Sequence, residues 1–142
     1  MNTSLATLVS FVFVALALWH FVMAFQPMSG ESAAVPSVNG KPLFVPSRKA
    51  TVAVAAVLLV FAGLVAATAG IVSLGLPSVV LSWLSYALAL GLLARAIGEF
   101  KYVGFFKRVR GSKFARLDTF VYSPLCLLLA LGVAFVALHH GT

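Results

Sequence analysis

The chain has 142 residues, of which 62% are hydrophobic and 9% charged. Soluble domains run near a quarter charged, so composition excludes that class, and the length allows one domain. The formal net charge of +7 does not mark a nucleic-acid binder, because the basic residues crowd into two segments between apolar runs instead of covering a soluble surface.

The first apolar run, about Leu5 to Phe25, is near the ~20 residues that a helix needs to cross ~30 Å of hydrocarbon. It follows Met1-Asn2-Thr3-Ser4, which carries no Lys or Arg, and it is long for a signal core. It is therefore expected to be a retained span and not a cleaved leader. A polar segment, 26–49, comes next. It is rich in Pro, Gly and Ser, and Asn39-Gly40 within it is a turn signal. A connection of that length is either a lid or binding loop or a loose linker, and both readings stay open.

The second and third runs, about Ala50 to Leu74 and Val79 to Gly98, are separated by Leu74-Gly75-Leu76-Pro77-Ser78. This short link predicts a tight antiparallel hairpin with Pro77 in the first turn of the third helix. Segment 99–118 interleaves basic and aromatic residues, beginning Phe100-Lys101-Tyr102. The fourth run is about Thr119 to Leu138. None of the runs alternates with period two as barrel strands do. The expected fold is an all-α membrane protein, a four-helix transmembrane bundle.

Four crossings place the first and third loops on one side. These loops hold Lys41, Arg48 and Lys49, and Lys101, Lys107, Arg108, Arg110, Lys113 and Arg116. The positive-inside rule then makes 26–49 and 99–118 cytoplasmic and puts both termini outside, in a bacterial cytoplasmic (inner) membrane. Lys107, Arg108, Arg110, Lys113 and Arg116 are expected to meet anionic lipid head groups, each attraction being worth about 1 kcal/mol.

The same topology gathers His20, Arg95, Glu99, Asp118 and Tyr122 into one layer, with His20 roughly 8 Å deep at ~1.5 Å per residue. Arg95 and Glu99 are four apart and would share a helix face, with Gly91, Gly98 and Tyr102 near it. Asp118, Tyr122 and Cys126 form a second stripe, and the two stripes are expected to face each other with His20 between them. The ligand-binding set expected from this layer is Arg95, Glu99, Lys101, Tyr102, Asp118 and Tyr122. His20, Glu99 and Asp118 are the acid–base candidates. Structural alternatives stand beside each. Arg95 can snorkel and needs only a carboxylate partner. Asp118 suits a helix N-terminus. Tyr122 and Trp19 suit the interface, and His20 can be a neutral ring bonded to a carbonyl. The lone Cys126 allows no intramolecular disulfide and no CxxC motif. Adjacent His139-His140 do not face the same way, so no metal site and no cofactor are expected.

Several blocks carry a family resemblance. They are Trp19-His20, Ala34-Val35-Pro36, Gly40-Lys41-Pro42-Leu43-Phe44-Val45-Pro46, the stretch from Arg95 through Lys107, and Asp118-Thr119 with Tyr122-Ser123-Pro124-Leu125-Cys126. Together the chain resembles the small bacterial membrane proteins of domain-of-unknown-function family 3995. The resemblance implies a four-helix bacterial membrane protein and implies no activity.

Three functions remain open on this basis. One is a protein that binds or moves a small amphiphile or lipid at its cytoplasmic face. Another is an accessory subunit docking a second copy or another membrane protein. The third is a membrane-embedded enzyme using His20 with Glu99 or Asp118. Small multidrug transporters also have four helices, but they rely on an acidic residue in the first, where this chain has His20.

Overall fold

The computed structural model describes residues 2–26 and 32–140. It contains four helices long and apolar enough to cross a membrane: α1 (Asn2–Met23), α2 (Arg48–Thr68), α3 (Ser78–Ile97) and α4 (Lys113–Leu138). The chain is thus an all-α, multi-pass membrane protein. The first loop adds a small antiparallel hairpin, β1 (Ser37–Val38) and β2 (Lys41–Pro42). Asn39 and Gly40 both have positive φ, as the tightest hairpin turns require.

Two helix boundaries depart from the apolar runs for identifiable local reasons. α2 stops at Thr68, six residues before the end of its apolar run, because Gly70 takes a left-handed conformation. There the amide of Ile71 donates to the Ala66 carbonyl and that of Gly70 to the Ala67 carbonyl. These two bonds are the Schellman closure. The link to α3 is therefore 69–77, longer than expected, and the two helices do not form the tight hairpin the sequence suggested. α4 begins earlier than its apolar run, at Lys113, because the Ser112 hydroxyl accepts from the Ala115 amide at 3.0 Å.

Within α4, Asp118–Tyr122 widens into a π turn, and the Ser123 amide reaches back five residues to the Asp118 carbonyl. Pro124 explains the widening. It has no N–H for the Phe120 carbonyl, and its ring would collide with that carbonyl in a regular helix.

The helices run up and down. α1 packs along α2, α3 packs along α4, and the two pairs meet chiefly through α1 with α4 and α2 with α3. At mid-bundle Phe13 meets the edge of Phe61 at 5.8 Å, within a core that includes Val9, Val65, Leu129, Val133 and Val136. Hydrocarbon gives apolar helices no hydrophobic reason to associate, so close packing and interhelical hydrogen bonds must do it. Ser10 donates to the Ala62 carbonyl at 3.1 Å, and the Thr68 and Ser85 hydroxyls share a bond at 2.8 Å. His140 Nδ1 donates to the Thr68 carbonyl. Large apolar side chains such as Phe11, Trp83 and Leu90 point outward, where lipid is the solvent.

The α1–α4 approach depends on a missing side chain. A Cβ at Gly132 would lie 2.9 Å from Val9 Cγ2. Gly132→Ala is expected to destabilise the detergent-solubilised protein by about 1–3 kcal/mol through overpacking. Val9→Ala in the same chain should restore much of the loss, and thermal unfolding of the two variants checks both. A Gly132→Ala protein as stable as wild type would mean that the pairs are not closely locked there.

Candidate functional site

The site starts where α3 stops. Gly98 turns the chain at positive φ, and the Phe105 amide returns to the Ala96 carbonyl at 2.9 Å. In between, the backbones of Gly98 and Gly104 lie against each other. A Cβ on Gly98 would collide with the Val103 carbonyl, and one on Gly104 with the Ile97 carbonyl. Both glycines also have positive φ, so sterics and conformation demand glycine at each. Glu99 closes this turn, its Oε1 accepting from the amides of Tyr102 and Val103.

The turn aims the Gly104 amide at Asp118, which it reaches at 2.6 Å. Asp118 is fully buried at the π turn of α4. Arg95 Nη2 donates to its Oδ1 at 2.7 Å, and Lys107 Nζ donates to its Oδ2 at 3.0 Å. Lys107 is 2% exposed. Its ammonium also donates to the Gly104 carbonyl at 2.7 Å and to Thr119 Oγ1 at 2.5 Å. Three donors of an ammonium are thereby used, which is all it has. The carboxylate is outnumbered: one anion sits among two cations, and these three side chains carry net positive charge.

Arg95 holds the excess. Its Nη2 serves Asp118, while its Nη1 is buried without a hydrogen-bond partner. The side chain lies in the wall of a cavity of about 380 Å³ lined by all four helices. Phe13, Leu58, Leu92 and Leu129 give the cavity an apolar interior, and His20, Tyr122 and Cys126 add polar atoms to its walls. His20 Nδ1 donates to the Leu16 carbonyl at 2.7 Å. In the neutral ring Nε2 is then the acceptor. The Tyr122 hydroxyl donates to the Ala33 carbonyl at 2.9 Å and ties the first loop to α4.

The structure therefore brings together His20, Arg95, Asp118 and Tyr122 from the expected layer, and leaves others apart. Arg95 and Glu99 do not share a helix face, because α3 ends at Ile97, and Glu99 serves loop amides instead. Lys101 is exposed, 5.0 Å over the Tyr102 ring, and neither lines the cavity. Among the described residues no hydrogen bond joins His20 to Glu99 or Asp118. Lys107, expected among the cations facing lipid head groups, is buried against Asp118 and cannot face them. Gly104 and Thr119 also belong to the site without having been expected there. The close-set Gly98 and Gly104 were the one sign that the third loop folds tightly on itself.

Removing one member of a buried charge cluster leaves the rest uncompensated. Asp118→Asn is expected to destabilise the protein by about 3–5 kcal/mol on that ground. Lys107→Met in the same chain should recover part of the loss, so that the two changes are strongly non-additive in an unfolding cycle. Additive effects would show that the lysine and the aspartate do not share the burial.

No curated protein and no solved structure matches the chain. The family model described as "Protein of unknown function (DUF3995)" matches residues 13–134. That span contains His20, Arg95, Lys107, Asp118 and Tyr122, and covers most of the chain, so this membrane protein belongs to the DUF3995 family.

Proposed function

We propose that the protein binds a small amphiphile with an anionic group at the basic end of the bundle, in a bacterial cytoplasmic membrane. One observation carries this reading: Arg95, whose Nη1 is buried without a hydrogen-bond partner, has its side chain in the wall of a largely apolar cavity. A buried donor left without a partner costs about 1–3 kcal/mol, more when charged. A carboxylate or phosphate would satisfy it and offset the net positive charge of the Arg95, Lys107 and Asp118 cluster. The apolar walls suit a hydrocarbon chain, and a volume of about 380 Å³ lies in the usual range for small-ligand pockets.

Binding is favoured over movement across the membrane because the bundle is tightly packed beyond the cavity. Val65 and Val133 are fully buried there. It is favoured over acid–base catalysis because His20, Glu99 and Asp118 each have separate partners. Mass spectrometry of the protein purified in mild detergent tests the reading. A discrete amphiphile should accompany wild type and Glu99→Gln, whose side chain is away from the cavity, and be lost from Arg95→Gln. Its retention in Arg95→Gln, or bulk lipid alone in all three, would refute the proposal.

The orientation belongs to the same proposal. All 10 Lys and Arg residues fall at the end where the first and third loops lie. By the positive-inside rule this end faces the cytoplasm and both termini lie outside. Exposed Lys101, Arg108, Arg110, Lys113 and Arg116 then stand at the anionic leaflet surface. Alkaline phosphatase fused after Thr142 should be active, and a green fluorescent protein fused there should be dark. The opposite pair of results would invert the topology.

A further inference from the structure

The Arg95 cavity does not close at His20. His20, Met23, Ala34 and Val54 also line a second cavity of about 550 Å³. The two chambers thus share a wall, with His20 standing in it. The second chamber lies between the end of α1 and the start of α2, against Phe44, Val45 and Pro46 of the first loop.

The chambers differ in chemistry. The inner one is largely hydrocarbon-lined, with Arg95 in its wall. The outer one adds the polar side chains of Gln26, Ser32, Arg48 and Thr51. Arg48 is exposed but held by two contacts. Its Nε donates to the Ala24 carbonyl at the end of α1 at 3.3 Å, and its guanidinium lies 5.0 Å over the Phe25 ring. Those contacts leave its two terminal amino groups without hydrogen-bond partners among the described residues. Each chamber therefore offers one guanidinium with donors to spare. Between them stands His20, whose Nδ1 is held by the Leu16 carbonyl and whose Nε2 is an acceptor in the neutral ring.

We infer that the two chambers form one bipartite site for a single-chain lipid with an extended polar head. The hydrocarbon chain occupies the inner chamber, and the anionic group meets Arg95. The head then continues past His20 into the outer chamber, where acceptor atoms meet Arg48. A phosphodiester carrying a polyol has this chemistry: an anion, then hydroxyls that can donate to His20 Nε2 and accept from Arg48. A bare alkyl phosphate or fatty acid would leave the outer chamber unused. This inference rests on the amphiphile-binding reading above.

The test compares two probes of equal chain length, dodecyl phosphate and a twelve-carbon lysophosphatidylglycerol, binding to the full chain in lipid nanodiscs. Wild type should prefer the extended head by about tenfold, the worth of one charge-assisted hydrogen bond. Arg48→Gln should abolish that preference while binding dodecyl phosphate as wild type does, which also reports that the variant is folded. Arg95→Gln should weaken both probes. Equal affinity of wild type for the two probes, or parallel weakening of both by Arg48→Gln, would overturn the bipartite site and leave the Arg95 site standing. Failure of wild type to bind either probe would overturn the amphiphile-binding reading itself.

Discussion

The burial of Asp118 is the constraint on which the basic end of this molecule depends. A carboxylate withdrawn from water in a membrane protein is tolerated only when charge and hydrogen bonds replace what it lost. Here the replacements come from three directions: Arg95 from the end of α3, Lys107 from the third loop, and the Gly104 amide from the same loop. Each requirement shapes the chain around it. The Gly104 amide reaches Asp118 only because the loop doubles back tightly at Gly98, where a side chain would collide with backbone. Lys107 is buried only because the Gly104 carbonyl and Thr119 hydroxyl take its remaining protons. The aspartate itself opens the π turn that Pro124 imposes one turn further on. One carboxylate thus ties together the third loop, the first turns of α4 and Arg95 at the end of α3.

The fold was legible in the sequence wherever hydropathy alone decides it. Four runs of sufficient length had to be helices, because no other unpaired backbone survives in hydrocarbon. What hydropathy does not register are the helix ends. Ile71 and Val72 continue the apolar run past Thr68, while Gly70 ends the helix through its backbone conformation. The same blindness misplaced Glu99. A helix continued through Gly98 would put it beside Arg95, and the left-handed turn at Gly98 removes it. The first loop is a further case. The hairpin turn at Asn39-Gly40 was readable, but the docking of the loop was not. Val35 and Ser37 are 2% and 3% exposed, and the Tyr122 bond to Ala33 spans 89 positions. Such a contact exists only in the assembled tertiary structure.

The site was legible as a layer and not as a network. Up-and-down topology suffices to bring His20, Arg95, Asp118 and Tyr122 to one depth. It cannot say which of six basic residues in the third loop turns inward. Composition argues that all six face water or lipid head groups, since lysine is seldom fully buried unless paired. Lys107 is paired, and its partner is the residue that makes its burial possible. The network therefore had to be solved as a unit: neither Lys107 nor Asp118 has a buried position that makes sense without the other.

The two ends of the bundle solve the problem of polar groups in hydrocarbon in opposite ways. At the end away from the basic loops, hydrogen bonds without any ion pair link Thr68 with Ser85 and with His140, His140 Nε2 stays buried without a partner, and the core from Val9 to Val136 packs up against them. At the basic end the cluster holds two cations to one anion, in surroundings where an uncompensated charge is felt far more strongly than in water. A purely structural ion pair would balance its charges and exhaust its donors. Lys107 meets the second condition, but Arg95 does not, and its side chain lines a cavity. The imbalance falls where there is room for an anion, and this coincidence of charge, unsatisfied donor and space favours a ligand site over a structural pair.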